Sequence, residues 1–205
     1  MIKRVGSVDP AIARRADEVL RKSGYPRLHN LVGIDLERIV TEFYRLQLRY
    51  HPDLKFNGRS LLAAYIPSFP FVFVHRGCIT SRQRFSIAHE LGHAELEDDF
   101  GQSEGLFAHK EAFLCSADDI ESEVASAREE RRYGRRRRRE IRANQFAVRL
   151  LMPDGLVKET WRRCLNISGT AGLLGVSMES LRYRLEELGL TSESASRHPR
   201  LAGTP

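Results

Sequence analysis

Two stretches near the start of the chain repeat apolar residues with the period of a helix. The first runs from Asp9 to Ser23, opens with Asp-Pro and ends before Gly24. The second runs from Asp35 to about Phe43, and the alternating residues 45–49 that follow it are typical of a strand. We therefore predict two helices and then a short strand.

A strand pattern and a longer helical pattern come next. Residues 69–75 are aromatic and β-branched and end at an Arg-Gly turn, which predicts a strand. Ser81 is placed to cap the following helix, which we expect from about Arg82 to Leu96. The polar, acidic, glycine-containing residues 97–105 predict a loop after that helix.

The second half of the chain is predicted to be largely helical. Residues 118–132 are highly charged, Gly134 interrupts the pattern, and an apolar helical pattern extends from Arg135 to Pro153. Beyond it, Leu165–Leu190 has the pattern of a short helix-turn-helix segment. Residues 191–205 are rich in Ser, Pro and Gly without periodicity, and we predict a disordered tail there.

The composition fits a globular protein without a membrane span. With 205 residues, of which 41% are hydrophobic, the chain is long enough for one domain with an appendage or for two small domains. The longest apolar stretch, Leu61–Val74, is broken by Pro67 and Pro70, so no segment is predicted to cross a membrane. No signal-like apolar core is seen near Met1, and the three cysteines are far apart, which predicts a cytoplasmic location.

The net charge of +6 is concentrated in one part of the chain. Much of the excess lies between Arg128 and Arg142, where Arg135–Arg139 form an unbroken run. Such a run is suited to nucleic acid, to an acidic protein face or to an anionic membrane surface. It is equally compatible with a solvated arm, so a nucleic-acid contact through this run remains one of several interpretations.

The stretch HELGH at residues 89–93 is an HExxH motif within a predicted helix. His89 and His93 are four residues apart and project from one face, where a single metal ion can contact both. Glu90 lies about 100° further round the helix, outside the ligand positions but within reach of a water held by the metal. The motif therefore predicts a metal site with Glu90 as general base. A glycine inside a helix is unfavourable by about 1 kcal/mol, so Gly92 indicates either a close backbone approach or ordinary helix packing.

A catalytic zinc ion needs a third protein ligand as well as an open fourth position. Glu140 is our candidate, because it lies on an otherwise apolar helical stripe where an unpartnered carboxylate is unfavourable. The stripe consists of Ala143, Ala147, Leu150 and Leu151. Three other glutamates are alternatives, although their stretch has no comparable apolar face. They are Glu123, Glu129 and Glu130.

Three stretches of the sequence carry a family resemblance, namely RFSIAHELGH at residues 84–93, EIRANQFA at 140–147 and LLMP at 150–153. They resemble the ImmA/IrrE metallopeptidase family. The resemblance extends from about Leu31 to Leu190, because GVS and LEELGL near the end are similar to the family's helix-turn-helix-like segment. The stretch between His93 and Glu140, which contains the arginine run, is longer than is typical of the family.

The resemblance implies the ligands, the activity and the substrate. In that family the motif histidines and the glutamate of the ExxAN pattern bind the metal, which implies His89, His93 and Glu140 as ligands and Glu90 as the catalytic residue. The expected cofactor is zinc (Zn2+), and other divalent metals such as Mn2+ fit similar donors. The implied activity is cleavage of a helix-turn-helix transcriptional repressor, which derepresses stress-response or mobile-element genes.

An alternative from another class is a DNA-binding transcriptional regulator with a structural or vestigial metal site. In that interpretation Leu165–Leu190 lies in a DNA groove and the arginine run contacts phosphates. The intact HExxH motif favours catalysis instead, because a structural site needs no general base. The C-terminal segment also has only two basic residues, Arg182 and Arg184. Zinc-dependent peptide hydrolysis is therefore our preferred prediction.

Two features of such a peptidase stay open at the level of sequence. The donor that stabilises the oxyanion has four candidates, with nothing to choose among them. They are Tyr65, His75, His109 and Tyr183. The strand Phe71–Val74 is predicted either to pair along its edge with an extended substrate or to be a buried core strand.

The predicted fold class is α+β, with a mostly helical zincin-like metallopeptidase core, a small β-sheet and a C-terminal helix-turn-helix-like segment. We expect the metallopeptidase domain to cover residues 1–164 and to contain a basic insertion at about 101–139. The helix-turn-helix-like segment covers 165–190, and the tail covers 191–205. The expected partner is a protein substrate, with no membrane partner.

Overall fold

The N-terminal region forms the two predicted helices. The computed structural model describes residues 8–25, 33–56, 59–66, 69–96, 107–110 and 127–190. Helix α1 (Pro10–Lys22) begins where the Asp9 side chain accepts a hydrogen bond from the Ala11 N–H, and its apolar face is buried. Helix α2 (Leu36–Arg38) continues directly into a π-helical turn (Ile39–Phe43). Both helix predictions are confirmed.

Five short strands form one sheet. They are β1 (Gln47–His51), β2 (Lys55–Phe56), β3 (Arg59–Tyr65), β4 (Phe71–His75) and β5 (Phe107–Lys110). The order across the sheet is β1-β4-β3-β2, and β5 also pairs with β3. Strands β1 and β4 are parallel, whereas the other pairs are antiparallel. The first strand starts two residues later than predicted, because Arg45 has a left-handed backbone conformation with φ 55°.

Strand β4 lies in the interior of the sheet, which decides between two predictions. It is hydrogen-bonded to β1 on one side and to β3 on the other. The prediction that Phe71–Val74 pairs with an extended substrate is therefore wrong, because this strand has no free edge there. Val72 and Val74 are fully buried against the helices, so the alternative of a buried core strand is confirmed.

Strand β3 was not predicted, because its residues do not alternate between apolar and polar. All four residues from Leu61 to Ala64 are buried. A strand that is covered on both faces shows a continuous apolar run, which periodicity alone does not distinguish from other buried segments. Strand β3 nevertheless matters most for the site, since its last residue, Tyr65, contacts the motif helix.

Two long helices pack against each other and carry the predicted site. Helix α3 (Thr80–Leu96) contains the HExxH motif, as predicted, and begins two residues earlier than expected. Helix α4 (Ala127–Leu151) contains Glu140 and ends just before Pro153, also as predicted. The start predicted at Arg135 is wrong, because the helix begins at Ala127 and continues through Gly134. The loop predicted at 97–105 and much of the basic insertion lie outside the described residues.

Three helices follow α4 and pack on the same core. They are α5 (Asp154–Cys164), α6 (Ile167–Leu174) and α7 (Met178–Glu187). Helix α6 ends at Gly175, which has a left-handed conformation with φ 65°, and the Ser177 side chain caps α7. Helices α6 and α7 thus form a helix-turn-helix within the predicted segment. The predicted disordered tail, 191–205, lies outside the described residues.

Two arginine side chains, one partly buried and one buried, tie the C-terminal helices to the rest of the molecule. Arg84, on α3, donates to the backbone oxygens of Ile34 and Gly175 over 2.6 Å and 3.1 Å. Arg184, on α7, is 3% exposed and forms ion pairs with Asp154 and Glu187. These bonds satisfy buried backbone oxygens and charges that would otherwise be unfavourable.

The architecture confirms the predicted α+β class, in which helices predominate and the sheet is small. One cluster of buried apolar side chains runs from Ile12 on α1 through Leu91 on α3 and Phe146 on α4 to Leu185 on α7. The sheet and the C-terminal helices therefore share one core with α3 and α4. Among the described helices, none has the length and apolar character that crossing a membrane requires.

Candidate metal centre

Helix α3 brings the two motif histidines together in the interior. His89 is fully buried and His93 is 7% exposed. Their Nε2 atoms are 2.9 Å apart, because residues four apart lie one above the other on the same helix face. Two nitrogen donors therefore converge on one point, as the spacing predicted.

Helix α4 supplies a carboxylate to the same point. The Oε2 atom of Glu140 lies 3.2 Å from His89 Nε2 and 3.6 Å from His93 Nε2. Within the described parts of the chain, these three residues are the one group of His, Cys, Asp and Glu with ligand atoms all within 4.8 Å of one another. Of the alternatives, Glu123 and the side chains of Glu129 and Glu130 lie outside the described residues.

The electrostatics of the cluster suit a divalent cation. Burial lowers the pKa of His89, which favours the neutral imidazole. Burial by itself would raise the pKa of Glu140, but the polar contacts of its carboxylate with the two histidines lower it well below its ordinary value. A neutral imidazole and an ionised carboxylate are the protonation states that metal ligands require.

Asn144 sets the orientation of the first histidine. Its Oδ1 atom lies 2.8 Å from Nδ1 of His89, which donates this hydrogen bond because a carbonyl oxygen only accepts. The proton on Nδ1 leaves the Nε2 lone pair directed at Glu140 and His93. The sequence pattern alone assigns no role to Asn144, although its position one turn after Glu140 places both side chains on one face of α4.

Glu90 is buried beside the cluster. Its Oε2 atom accepts a hydrogen bond of 3.1 Å from the Tyr65 backbone N–H, at the end of β3. Its Oε1 atom is also buried and has no hydrogen-bond partner within the described part of the chain. Burial, and next the charge of Glu140, raise the pKa of Glu90 well above its ordinary value. A carboxylate oxygen in this position is placed to bind and deprotonate a water molecule.

Gly92 allows the two site-bearing helices to approach closely. A Cβ atom at this position would lie 3.0 Å from both the Cα and the carbonyl oxygen of Ala143, and 3.2 Å from Cβ of Phe146. The obstacle is mainly the backbone of α4, which does not move aside easily. Both explanations for this glycine therefore apply, because the backbone that approaches it is that of a helix packed against α3.

We expect Gly92→Ala to destabilise the protein. Helix propensity favours alanine by about 1 kcal/mol, whereas forcing the extra methyl group into a tight contact costs about 1–3 kcal/mol. The free energy of unfolding, measured by chemical denaturation, should fall by up to about 2 kcal/mol. The matched control is Gly172→Ala on α6, where no atom lies within 4 Å of the added methyl group. The free energy of unfolding of Gly172→Ala should rise by up to about 1 kcal/mol. An equal change in the free energy of unfolding of both variants would refute the close-approach argument.

Comparison with known proteins places this geometry in a family. Residues 44–186 match the IrrE N-terminal-like domain, a peptidase family, over most of the described chain. The chain belongs to this family. The match includes β1, the motif helix α3, the ligand-bearing helix α4 and almost all of α7, so the family assignment predicted from the sequence is confirmed.

A solved structure shares the fold of this IrrE-like chain. It is described as a Mycobacterium tuberculosis transcriptional regulator and superposes with a TM-score of 0.58 at 18% sequence identity. The superposition covers 95% of the present chain but only 50% of the regulator chain. The IrrE-like chain thus spans about half the length of that relative. No curated protein matches the chain in sequence.

Among the four candidate oxyanion donors of this IrrE-like domain, Tyr65 is brought next to Glu90, through its backbone N–H. His75 lies at the end of β4, where its Nδ1 atom accepts the Gly77 N–H over 3.0 Å. The side chain of His109 lies outside the described residues, and Tyr183 is half-buried on α7. The choice of an oxyanion donor therefore stays open.

Proposed function

We propose that this chain is a zinc-dependent endopeptidase in which His89, His93 and Glu140 hold the metal and Glu90 is the general base. The single observation that carries the proposal is the arrangement of three converging ligand atoms beside a buried carboxylate oxygen that lacks a described protein partner. Two histidines and one glutamate are a donor set typical of catalytic zinc sites. Manganese is the alternative metal.

The mechanism assigns a separate task to each residue. When bound, the zinc ion supplies Lewis acidity that polarises the scissile carbonyl and acidifies water. Glu90 accepts the proton of the attacking water and returns it to the nitrogen of the leaving amine. Asn144 holds His89 in the tautomer that exposes its Nε2 lone pair. The Tyr65 backbone N–H orients the carboxylate of Glu90 by donating to Oε2, which leaves Oε1 for the water.

The structure gives specific reasons to prefer hydrolysis to the DNA-binding alternative. A structural zinc site is closed by four protein ligands, whereas the described cluster has three. Of the two basic residues in Leu165–Leu190, Arg184 is buried in ion pairs and only Arg182 is exposed. A recognition helix that lacks a cluster of exposed basic residues is poorly suited to phosphates.

We propose a helix-turn-helix transcriptional repressor as the substrate, so that cleavage derepresses stress-response or mobile-element genes. The family resemblance supports this substrate class, and the neighbouring structure is itself described as a transcriptional regulator. In this scheme residues 1–164 form the metallopeptidase domain, which includes the basic insertion, and residues 165–190 form the helix-turn-helix-like segment.

The test is to incubate the zinc-loaded protein with the helix-turn-helix repressor encoded nearest to it and to map new chain termini by mass spectrometry. We expect one or a few discrete cuts, which disappear after removal of the metal by a chelator and return when zinc is restored. An unrelated folded protein serves as the control for non-specific proteolysis. Cleavage that continues unchanged in the chelated protein would refute a metallopeptidase.

A further inference from the structure

The net charge of the protein is located on one half of one helix. Residues 127–139 contain eight arginines and two glutamates, a net charge of +6, which equals the net charge of the entire chain. The remaining residues are therefore electrically balanced. By contrast, the helix-turn-helix segment, residues 165–190, has two arginines and three glutamates. A polyanion would consequently be attracted to α4 and not to the C-terminal helices.

The charged half of α4 is helical but lies before the part that packs in the core. Burial on this helix begins at Ala143 and continues to Leu151. Among the earlier positions whose exposure is described, 134 and 138–142, none is buried, and Arg138 is exposed. At a rise of about 1.5 Å per residue, the 13 residues from Ala127 to Arg139 extend for about 20 Å.

The arginine positions in the sequence are distributed around the axis of this part of the helix instead of along one stripe. Successive residues are separated by about 100°, so Arg135–Arg139 occupy positions around the complete circumference. A flat anionic membrane or a single acidic protein face contacts one side of a helix. The major groove of DNA, in contrast, has phosphates along both of its walls. A helix with arginines on all sides is therefore matched to a groove.

We propose that the arginine-rich half of α4, residues 127–139, is a helix that binds double-stranded DNA. The major groove of B-form DNA is about 12 Å wide, which admits a helix about 10–12 Å across. The corresponding groove of an RNA duplex is deep and narrow, so it does not admit one. Arginine is also well suited to phosphate, because its planar guanidinium group forms paired hydrogen bonds. This inference does not depend on the proposed peptidase activity.

The position of this DNA-binding helix has a consequence for the metal centre. Arg139 is followed directly by Glu140, so the DNA-binding half and the ligand-bearing half of α4 form one continuous helix. If a protein that cleaves a DNA-bound repressor also binds the same DNA, the two proteins are held near each other. The effective concentration of the repressor at the metal centre is then higher.

The experiment measures the affinity for a 20-base-pair DNA duplex by fluorescence anisotropy at several KCl concentrations. We expect binding that weakens steeply with salt, since each neutralised phosphate contributes about −0.9 to the slope of log K against log salt. Replacing all five residues Arg135–Arg139 with glutamine should make this slope shallower by about 4. Glutamine is chosen because its helix propensity is close to that of arginine.

Three controls distinguish the proposal from its alternatives. In the first control, five exposed arginines elsewhere are replaced with glutamine, which removes the same charge as the change at Arg135–Arg139. This variant should alter the slope of log K against log salt by less than about 1. The five arginines are Arg14, Arg21, Arg82, Arg162 and Arg163. The change of Arg135–Arg139 to lysine should keep both the slope and the metal content. The third control compares the DNA with an RNA duplex, with polyglutamate and with anionic vesicles at equal salt.

Several results would overturn the proposal. An equal loss of slope in the matched control would show that the attraction comes from overall charge. Tighter binding to polyglutamate, vesicles or RNA than to DNA would assign α4 to another partner. If the lysine variant keeps its metal and helicity but no longer binds DNA, the charge-based argument fails. Failure of the wild-type protein to bind DNA at low salt would refute the proposal directly.

Discussion

Glu90→Gln is expected to abolish peptide cleavage while the protein still folds and binds its metal. The amide of glutamine does not accept the proton of the attacking water, and general-base catalysis typically contributes about 10²–10⁴-fold. The amide oxygen can still accept the Tyr65 N–H, so the buried contact with β3 is kept. The rate of repressor cleavage should therefore fall by at least about 10²-fold, measured under single-turnover conditions.

The metal content and the stability of this variant provide the necessary controls. Metal bound per chain should equal that of the wild type, since Glu90 is not among the three converging ligands. The free energy of unfolding should not decrease, because a buried carboxylate is replaced by a neutral group. Glu179→Gln, at an exposed position on α7, controls for the general loss of one charge. Undiminished turnover in Glu90→Gln would remove this residue from the mechanism.

The sequence was sufficient to predict the parts of the site that depend on local helix geometry. The i, i+4 spacing of His89 and His93 already places both rings on one face, and the structure brings them to the same point. The apolar stripe around Glu140 likewise predicted which face of α4 turns inward. Both inferences need only the helical period, which is the most reliable signal in a sequence.

The remaining features depend on contacts between elements, and the sequence does not specify these. The hydrogen bond from His89 to Asn144 requires α3 and α4 to be packed in one particular register. The contact between Tyr65 and Glu90 requires β3, which a pattern of uninterrupted apolar residues failed to reveal. Periodicity describes the faces of an element but not the element that covers each face.

The start of α4 was predicted eight residues too late for a reason that concerns propensity. Gly134 and the dense charge indicate an interruption, because a glycine in a helix is unfavourable by about 1 kcal/mol. Most of the residues around it, however, are arginines and glutamates, which are good helix formers, and the packed C-terminal half of α4 provides a nucleus for extension. One unfavourable residue is therefore tolerated, and the helix continues through Gly134 to Ala127.

Glu140→Gln is expected to release the metal while the fold is kept. The variant loses the one anionic ligand of the cluster, because the other two described donors are neutral imidazoles when they bind. Changes in residues that merely orient a ligand weaken binding by about 10–100-fold, so loss of a direct ligand should exceed about 10²-fold. Competition with a chromophoric zinc chelator measures this affinity, and circular dichroism verifies the fold.

The matched controls for this prediction are Glu129→Gln and Glu130→Gln on the same helix. They remove the same charge, and their parent residues are the sequence-based alternatives to Glu140 as the third ligand. Both should retain zinc like the wild type, because the described ligand cluster is complete without them. If instead Glu140→Gln holds zinc as tightly as the wild type and one of the controls loses it, the third ligand comes from the arginine-rich half of α4. The convergence of Glu140 Oε2 with the two histidine nitrogens would then not represent the metal-bound site.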